Sequence, residues 1–172
     1  MEGQRLKIKL IFCKHRPATK DDINTIMSIV NRAYVVETGK TGLAFKCTPR
    51  YKYSATCALD IPHTWIGYLK ESGKVVCSGK GQIDKTNDSV SLGPLAVDPD
   101  HQGKGYGRAL LEHLESLATH QELYYVSCRT DVKEIYEKRG YVVTKSHPVT
   151  DFIPLDRLTR RDLQMIKMVK VK

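Results

Sequence analysis

The stretch VDPDHQGKGYGRALL, residues 97–111, constrains this 172-residue chain more than any other. An extended apolar run ends at Val97, and apolar residues return at helical spacing from Leu110 through Leu111, Leu114, Leu117 and Ala118. Between them Gly103, Gly105 and Gly107 alternate with Lys104, Tyr106 and Arg108. Glycine costs a helix about 1 kcal/mol at each interior position, so three at a helix start call for a use. Glycine admits positive φ and lets a ligand approach the main chain, and the first N–H groups of a helix are unpaired at the positive end of its dipole. Phosphate is the natural guest there, and Lys104 and Arg108 add charge. A tight turn with no ligand is the alternative. The P-loop pattern is absent, because Gly103-Lys104 is followed by Gly105. The spacing G-x-G-x-G also differs from the G-x-G-x-x-G of a dinucleotide-binding βαβ unit.

Periodicity places strands and helices along the rest. Leu6, Ile8, Leu10 and Phe12 share one parity, which predicts an opening strand over 6–12. Thr19 and Asp22 form a capping signal, and Ile23, Ile26, Met27, Val30, Ala33 and Tyr34 predict a helix to about Glu37. Residues 38–63 are weakly patterned, with room for a short helix over 51–59. Runs at 65–71, 74–84 and 90–97, separated by turn residues, predict an antiparallel meander. In the last run Val90 and Leu92 share one parity, Leu95 and Val97 the other. That slip at Gly93-Pro94 predicts a β-bulge that opens backbone groups to an extended ligand or to solvent. A helix over 105–119 follows, then a strand at 124–128. A short helix carrying Ile135 and Tyr136 comes next, opened by Asp131 with Glu134 and closed at Gly140. Strands are expected from Tyr141 to Lys145 and from Met165 to Lys172, the latter with one lysine-bearing face. The whole reads as one α/β domain over 1–172, with about six or seven strands and about four helices.

Composition narrows the setting. The apolar runs are short against the ~20 residues that cross a bilayer, and Arg5, Lys7 and Lys9 stand where an export signal would be apolar. No membrane partner is expected. The five cysteines contain no C-x-x-C pair, which points away from a disulfide frame or a metal site and toward a reducing cytoplasm, or the nucleus. The histidines show no H-E-x-x-H, and surface positions are expected for His113 and His120. Cys128 reads as a buried thiol rather than a nucleophile. The net charge of +9 attracts polyanions, whether nucleic acid or a phosphate-rich small molecule. A nucleic-acid module built on Arg157, Arg160, Arg161, Lys167, Lys170 and Lys172 is disfavoured, because few aromatic residues stand among those charges to stack on bases.

Val97 to Gly107, V-x-P-x-x-Q-G-x-G-x-G, resembles the acyl-CoA-binding motif V-x-P-x-x-[QR]-x-x-G-x-[GA] of the GNAT superfamily of N-acetyltransferases. IYEKRGYVV, 135–143, is similar to the family's second motif, in which a Tyr on a short helix precedes a Gly and an aromatic residue. The order of elements matches over nearly the whole chain, and the resemblance implies the family's single-domain α/β fold, a mixed, mostly antiparallel twisted central sheet of about six or seven strands flanked by about four helices. The resemblance implies acetyl-CoA as donor, its pantetheine arm paired with the backbone at Leu95, Ala96 and Val97. It implies that the N–H groups of Gln102, Gly103, Lys104, Gly105, Tyr106, Gly107 and Arg108 cradle the pyrophosphate. Tyr136 would protonate the departing thiolate as an amine attacks the thioester directly in a ternary complex. Read without the family, Tyr136 is a half-buried packing residue. The acceptor, a small-molecule or peptide amine, would meet the end of the first helix and the following loop. Tyr34 and Glu37 are candidates there, with Phe45 and Tyr51 nearby. No metal is implied, and a monomer or homodimer is expected. An acyl-CoA sensor without turnover is the second reading.

Two positions depart from the family pattern. An attacking amine must first lose its proton, and the family often carries a carboxylate on the bulged strand. Ser89, Ser91 and Gly93 stand there instead, leaving Asp84, Glu37 or a water relay. Arg129 occupies the place of a common Asn, either to reach a donor phosphate or to end the strand.

Overall fold

Two apolar layers on opposite faces of one sheet organise the chain. The structure, a computed structural model, describes residues 13–41, 50–118, 123–129, 132–148 and 164–171, without the side chains of 35–41, 129 and 165. In chain order the elements are β1 (Cys13–Pro17), α1 (Ile23–Thr41), α2 (Ser54–Asp60), β2 (Thr64–Leu69), β3 (Val75–Asp84), β4 (Ser89–Val97), α3 (Tyr106–Leu117), β5 (Leu123–Arg129), α4 (Lys133–Glu137), β6 (Val142–Pro148) and β7 (Gln164–Val171). The seven strands form one sheet in the order β1-β2-β3-β4-β5-β7-β6. Every pairing is antiparallel except the parallel β4–β5. This is the mixed, mostly antiparallel α/β architecture that the family resemblance implies.

The expected strand at 6–12 lies outside the described residues. The described chain opens instead on CKHRP, which lacks period-2 alternation and ends in Pro17. Such a segment suits a sheet edge, where a proline forfeits no ladder bond, and among the described residues β1 pairs with β2 alone. Helix α1 is entered through the expected capping box. Asp22 accepts from Thr19 N–H at 2.8 Å and Thr19 Oγ1 at 3.1 Å, and Arg16 grips it with both terminal nitrogens at 2.8 and 2.9 Å. The Arg16 guanidinium holds the Asp22 carboxyl below the usual carboxylate range. A depressed folded-state value stabilises the fold above the unfolded pKa, about 3.9. Asp22→Asn should therefore cost about 1–2 kcal/mol at pH 7. In urea titrations its deficit against wild type should shrink as the pH falls below about 4.

Ile26, Ile29, Val30 and Ala33 of α1 pack with Cys57, Ile61, Ile66 and Ala96 on one face of the sheet. Leu110, Leu111 and Leu114 of α3 pack on the other, against Val76, Val90, Leu92, Tyr124, Val126, Ile166 and Met168. Helix α3 sits directly on β3, because a Cβ at Gly79 would lie 2.9 Å from Leu95 and 3.0 and 3.1 Å from Leu114 and Leu110. His113, expected at the surface, is half-buried instead. Its ring stacks on His15 at 4.7 Å and meets Trp65 edge-on at 4.6 Å. The lysines of β7 do not share a face either. Lys170 turns to the α3 side and pairs with Glu115 at 3.2 Å, whereas Lys167 lies on the opposite side over the Tyr125 ring.

Candidate active site

Strand β4 carries the bulge that its parity slip announces. Gly81 faces Leu92 and Gly79 faces Leu95, so Gly93 and Pro94 together oppose Lys80. Pairing between β4 and β5 ends at Leu92 with Val126, and the two strands fork beyond it. Asp98 N–H donates to Val76 O at 2.8 Å. Backbone polarity alternates along a strand, so the N–H and C=O groups of Leu95 and Val97 point away from β3, into the fork. Those of Ala96 point to β3, and its side chain is buried beneath α1. Gln102 Nε2 donates to Val97 O at 3.2 Å, which ties the loop to the fork's edge.

The loop then turns through Gly103 and Gly105 at φ +75° and +84°, a region that L side chains rarely adopt. A Cβ at either would meet nothing within 4 Å, so the glycines answer to conformation and the space before them is open. Helix α3 starts at Tyr106 with Gly105 at its N-cap. The N–H groups of Gly103 through Arg108 meet no protein acceptor among the described residues. The Tyr106 ring is buried in the core, so that residue offers only its N–H. Lys104 and Arg108 are exposed, with Arg108 Nε on Glu112 at 2.9 Å. Unpaired donors in succession, open space and two cations fit a diphosphate.

Tyr136 lies in α4, just after β5, half-buried against the α3 core. The helix starts at Lys133 with Val132 at the N-cap; the expected capping partner Asp131 lies outside the described residues. Its end is the expected glycine cap. Gly140, at φ +87°, donates to Glu137 O at 3.0 Å and Tyr141 N–H to Tyr136 O at 3.2 Å, closing a Schellman motif. The Tyr141 ring meets the Tyr136 ring edge-on, centroids 5.8 Å apart. Glu115 fixes this turn from α3. It accepts from Arg139 at 2.6 Å, from Tyr141 Oη at 2.9 Å and from Lys170 at 3.2 Å. Arg139 also reaches Glu112 at 2.7 Å, which links the turn to Arg108.

On the opposite face, where neither α1 nor α2 covers β4 and β5, lies an open concavity of about 860 Å³. Its floor is Ser89 and Ser91 of β4, Tyr125 and Ser127 of β5, and Lys167 of β7. Ser127 is the first β5 residue past the last β4 pair, so one end of the concavity opens on the fork. Asp84 is at the far end. Thr86 Oγ1 and N–H at 2.6 and 2.9 Å and Asn87 Nδ2 at 2.7 Å hold its carboxyl below the usual range, which makes it a weak base. Tyr34 is half-buried on α1 under the Arg50 guanidinium, 5.7 Å from its ring centroid, and does not line this concavity. Tyr51 is packed, its hydroxyl on Asp60 at 2.8 Å. Phe45 and the side chains of Glu37 and Arg129 lie outside the described residues.

Residues 61–143, which contain the fork, the glycine loop and Tyr136, match the acetyltransferase (GNAT) domain family. Over that span the chain carries a GNAT acetyltransferase domain. Its fold is shared by a ribosomal-protein alanine N-acetyltransferase from Escherichia coli, at 21% identity and TM-score 0.70, covering 93% of this chain and 94% of that one. It is shared by a spermidine N-acetyltransferase chimera from Vibrio cholerae and hSSAT, at 16% identity and TM-score 0.69, covering 92% and 95%. An N-acetylglutamate synthase from Neisseria gonorrhoeae, complexed with coenzyme A and N-acetyl-glutamate, superposes at 19% identity and TM-score 0.65 over 93% of this chain; this chain spans only 35% of that one.

Proposed function

We propose that this GNAT acyltransferase moves an acetyl group from acetyl-CoA to the primary amine of a small molecule by direct attack in a ternary complex. One observation carries the reading: the fork between β4 and β5 has the unpaired N–H groups of Gly103 to Arg108 at its mouth and Tyr136 on the helix that follows β5. Bound acetyl-CoA supplies an acyl carbon activated as a thioester. The chain's part is to hold and orient. The main chain at Leu95 and Val97 pairs with the extended arm as a strand would, and the glycine loop with Lys104 and Arg108 receives the diphosphate. Tyr136 holds a proton on its phenolic oxygen for the leaving thiolate. The amine approaches from the serine-lined concavity, and its proton passes to water there, since Ser89 and Ser91 stand where a carboxylate would act. The complex of the Neisseria gonorrhoeae protein with coenzyme A supports the donor.

Thermal unfolding tests the donor. Acetyl-CoA at 100 times its dissociation constant should add about 2.7 kcal/mol of stability. Gly105→Glu should lose that gain, because it sets a carboxylate before the cradle at a position of φ +84°. Each protein is compared with itself, with and without ligand, so the strain of the substitution cancels. Absence of a shift in wild type at saturation would overturn the reading.

A further inference from the structure

We propose that the concavity beside the fork selects acceptors that carry an anionic group, a carboxylate above all, a few bonds from the amine, and that Lys167 is the residue that reads it. This rests on the acetyl-transfer reading and names its substrate class. The sheet face is apolar where α1 packs, at Ile66 and Ala96, and polar where no helix covers it. Ser91 is paired with Tyr125 and Ser127 with Lys167, so these side chains form one patch that starts at the fork. The Lys167 ammonium leans back over the Tyr125 ring, 4.1 Å from its centroid. It takes no carboxylate partner among the described residues. An ammonium on an aromatic face is held in place while its remaining donors stay available.

Among the described residues the other charges that line the concavity are Lys85 and Asp84; Lys145 is paired with Lys167 across β6 and β7, and Lys80 is held by Asp60. Asp84 is spent on its own turn, with Thr86 and Asn87. The uncommitted charge is therefore positive. A polyamine entering this cleft would set a second ammonium against Lys167, whereas a carboxylate would gain a charge-assisted hydrogen bond. The two residues from Ser127 to Tyr125 span about 7 Å at the strand rise. An amine at the fork and an anion at Lys167 thus belong to one compact molecule of the amino-acid class.

The test is thiol release from acetyl-CoA with matched acceptors: a panel of amino acids, the same compounds as carboxamides, and spermidine. Wild type, Lys167→Met and Lys167→Glu are compared. In wild type the best amino acid should exceed its carboxamide by at least tenfold in kcat/KM, and spermidine should be the poorest. Lys167→Met should remove most of that preference through KM, and Lys167→Glu should invert it. Lys167 is exposed, so both variants should fold, and an unchanged acetyl-CoA thermal shift confirms that the donor site is intact. Isothermal titration of the amino acid into enzyme saturated with desulfo-CoA gives a second readout, with binding weakened at least tenfold in Lys167→Glu. Equal rates for acid and carboxamide, a preference for spermidine, or a ratio untouched by Lys167→Glu would each refute the anion subsite while leaving acetyl transfer standing. No thermal shift together with no thiol release would refute both.

Discussion

Tyr136→Phe should lower kcat about 100- to 10,000-fold, the usual reach of a general acid, while the thermal shift with acetyl-CoA persists. The ring stays, and so does its edge-on contact with Tyr141 at 5.8 Å; only the phenolic proton is lost. The cradle lies on separate backbone, so KM for acetyl-CoA should move little. Stopped-flow thiol detection alongside the thermal shift separates the two effects. A Phe variant that turns over at the wild-type rate would remove Tyr136 from the mechanism, leaving a residue that merely packs against the α3 core. A wild type that binds acetyl-CoA yet acetylates nothing would favour a sensor.

Glu115 carries the second large effect. Its side chain is 11% exposed and those of Arg139 and Lys170 are 15% and 26% exposed. Glu115→Leu should cost about 3 kcal/mol in urea unfolding, because it leaves Arg139 with Glu112 alone and takes the acceptor from Lys170 and the Tyr141 hydroxyl. Burial alone would raise the Glu115 carboxyl, but the donors from Arg139 and Tyr141 outweigh it and the net displacement is downward. The linked stability is thus complete above the unfolded value, about 4.3, and is lost as the pH falls through the folded one. Wild type should fall faster than Glu115→Gln on the acid side. The turn that Glu115 fixes also ends the Tyr136 helix, so Glu115→Gln should lower kcat more than it raises KM for acetyl-CoA. In a Tyr136→Phe background the same change should have little further effect on kcat; an equal loss in both backgrounds would show that Glu115 acts only on stability.

The glycine turn before α3 was legible because glycine has a visible cost in a helix and Gly103, Gly105 and Gly107 stand at the start of one. The bulge was legible because the strand period is two, so a single slip between Leu92 and Leu95 has no other reading. What stayed hidden depends on distance along the chain. The parallel pairing of β4 with β5 and the insertion of β7 between β5 and β6 leave no local signal, since each strand's alternation is the same whichever neighbour it takes. Glu115 carries no local signal either, because its partners Arg139, Tyr141 and Lys170 lie 24, 26 and 55 residues away. Strand β1 was missed because CKHRP, at an edge, buries too little to impose a pattern. Lys167 and Lys170 were read as one face because apolar residues separate them imperfectly, and only pairing with β5 shows that they point apart.

The fork at Leu92 also sets the traffic of the reaction. Helix α3 and its loop lie on one side of the sheet, and the serine-lined concavity opens on the other. On the proposed reading, donor and acceptor reach the same gap through separate doors, so neither blocks the other's entry and spent CoA departs without crossing the acceptor's path. Nothing in that layout calls for the acyl group to rest on the protein between partners. Initial-rate plots against either substrate should accordingly give intersecting lines, and parallel lines would mean that the acyl group does rest on the protein between the two substrates.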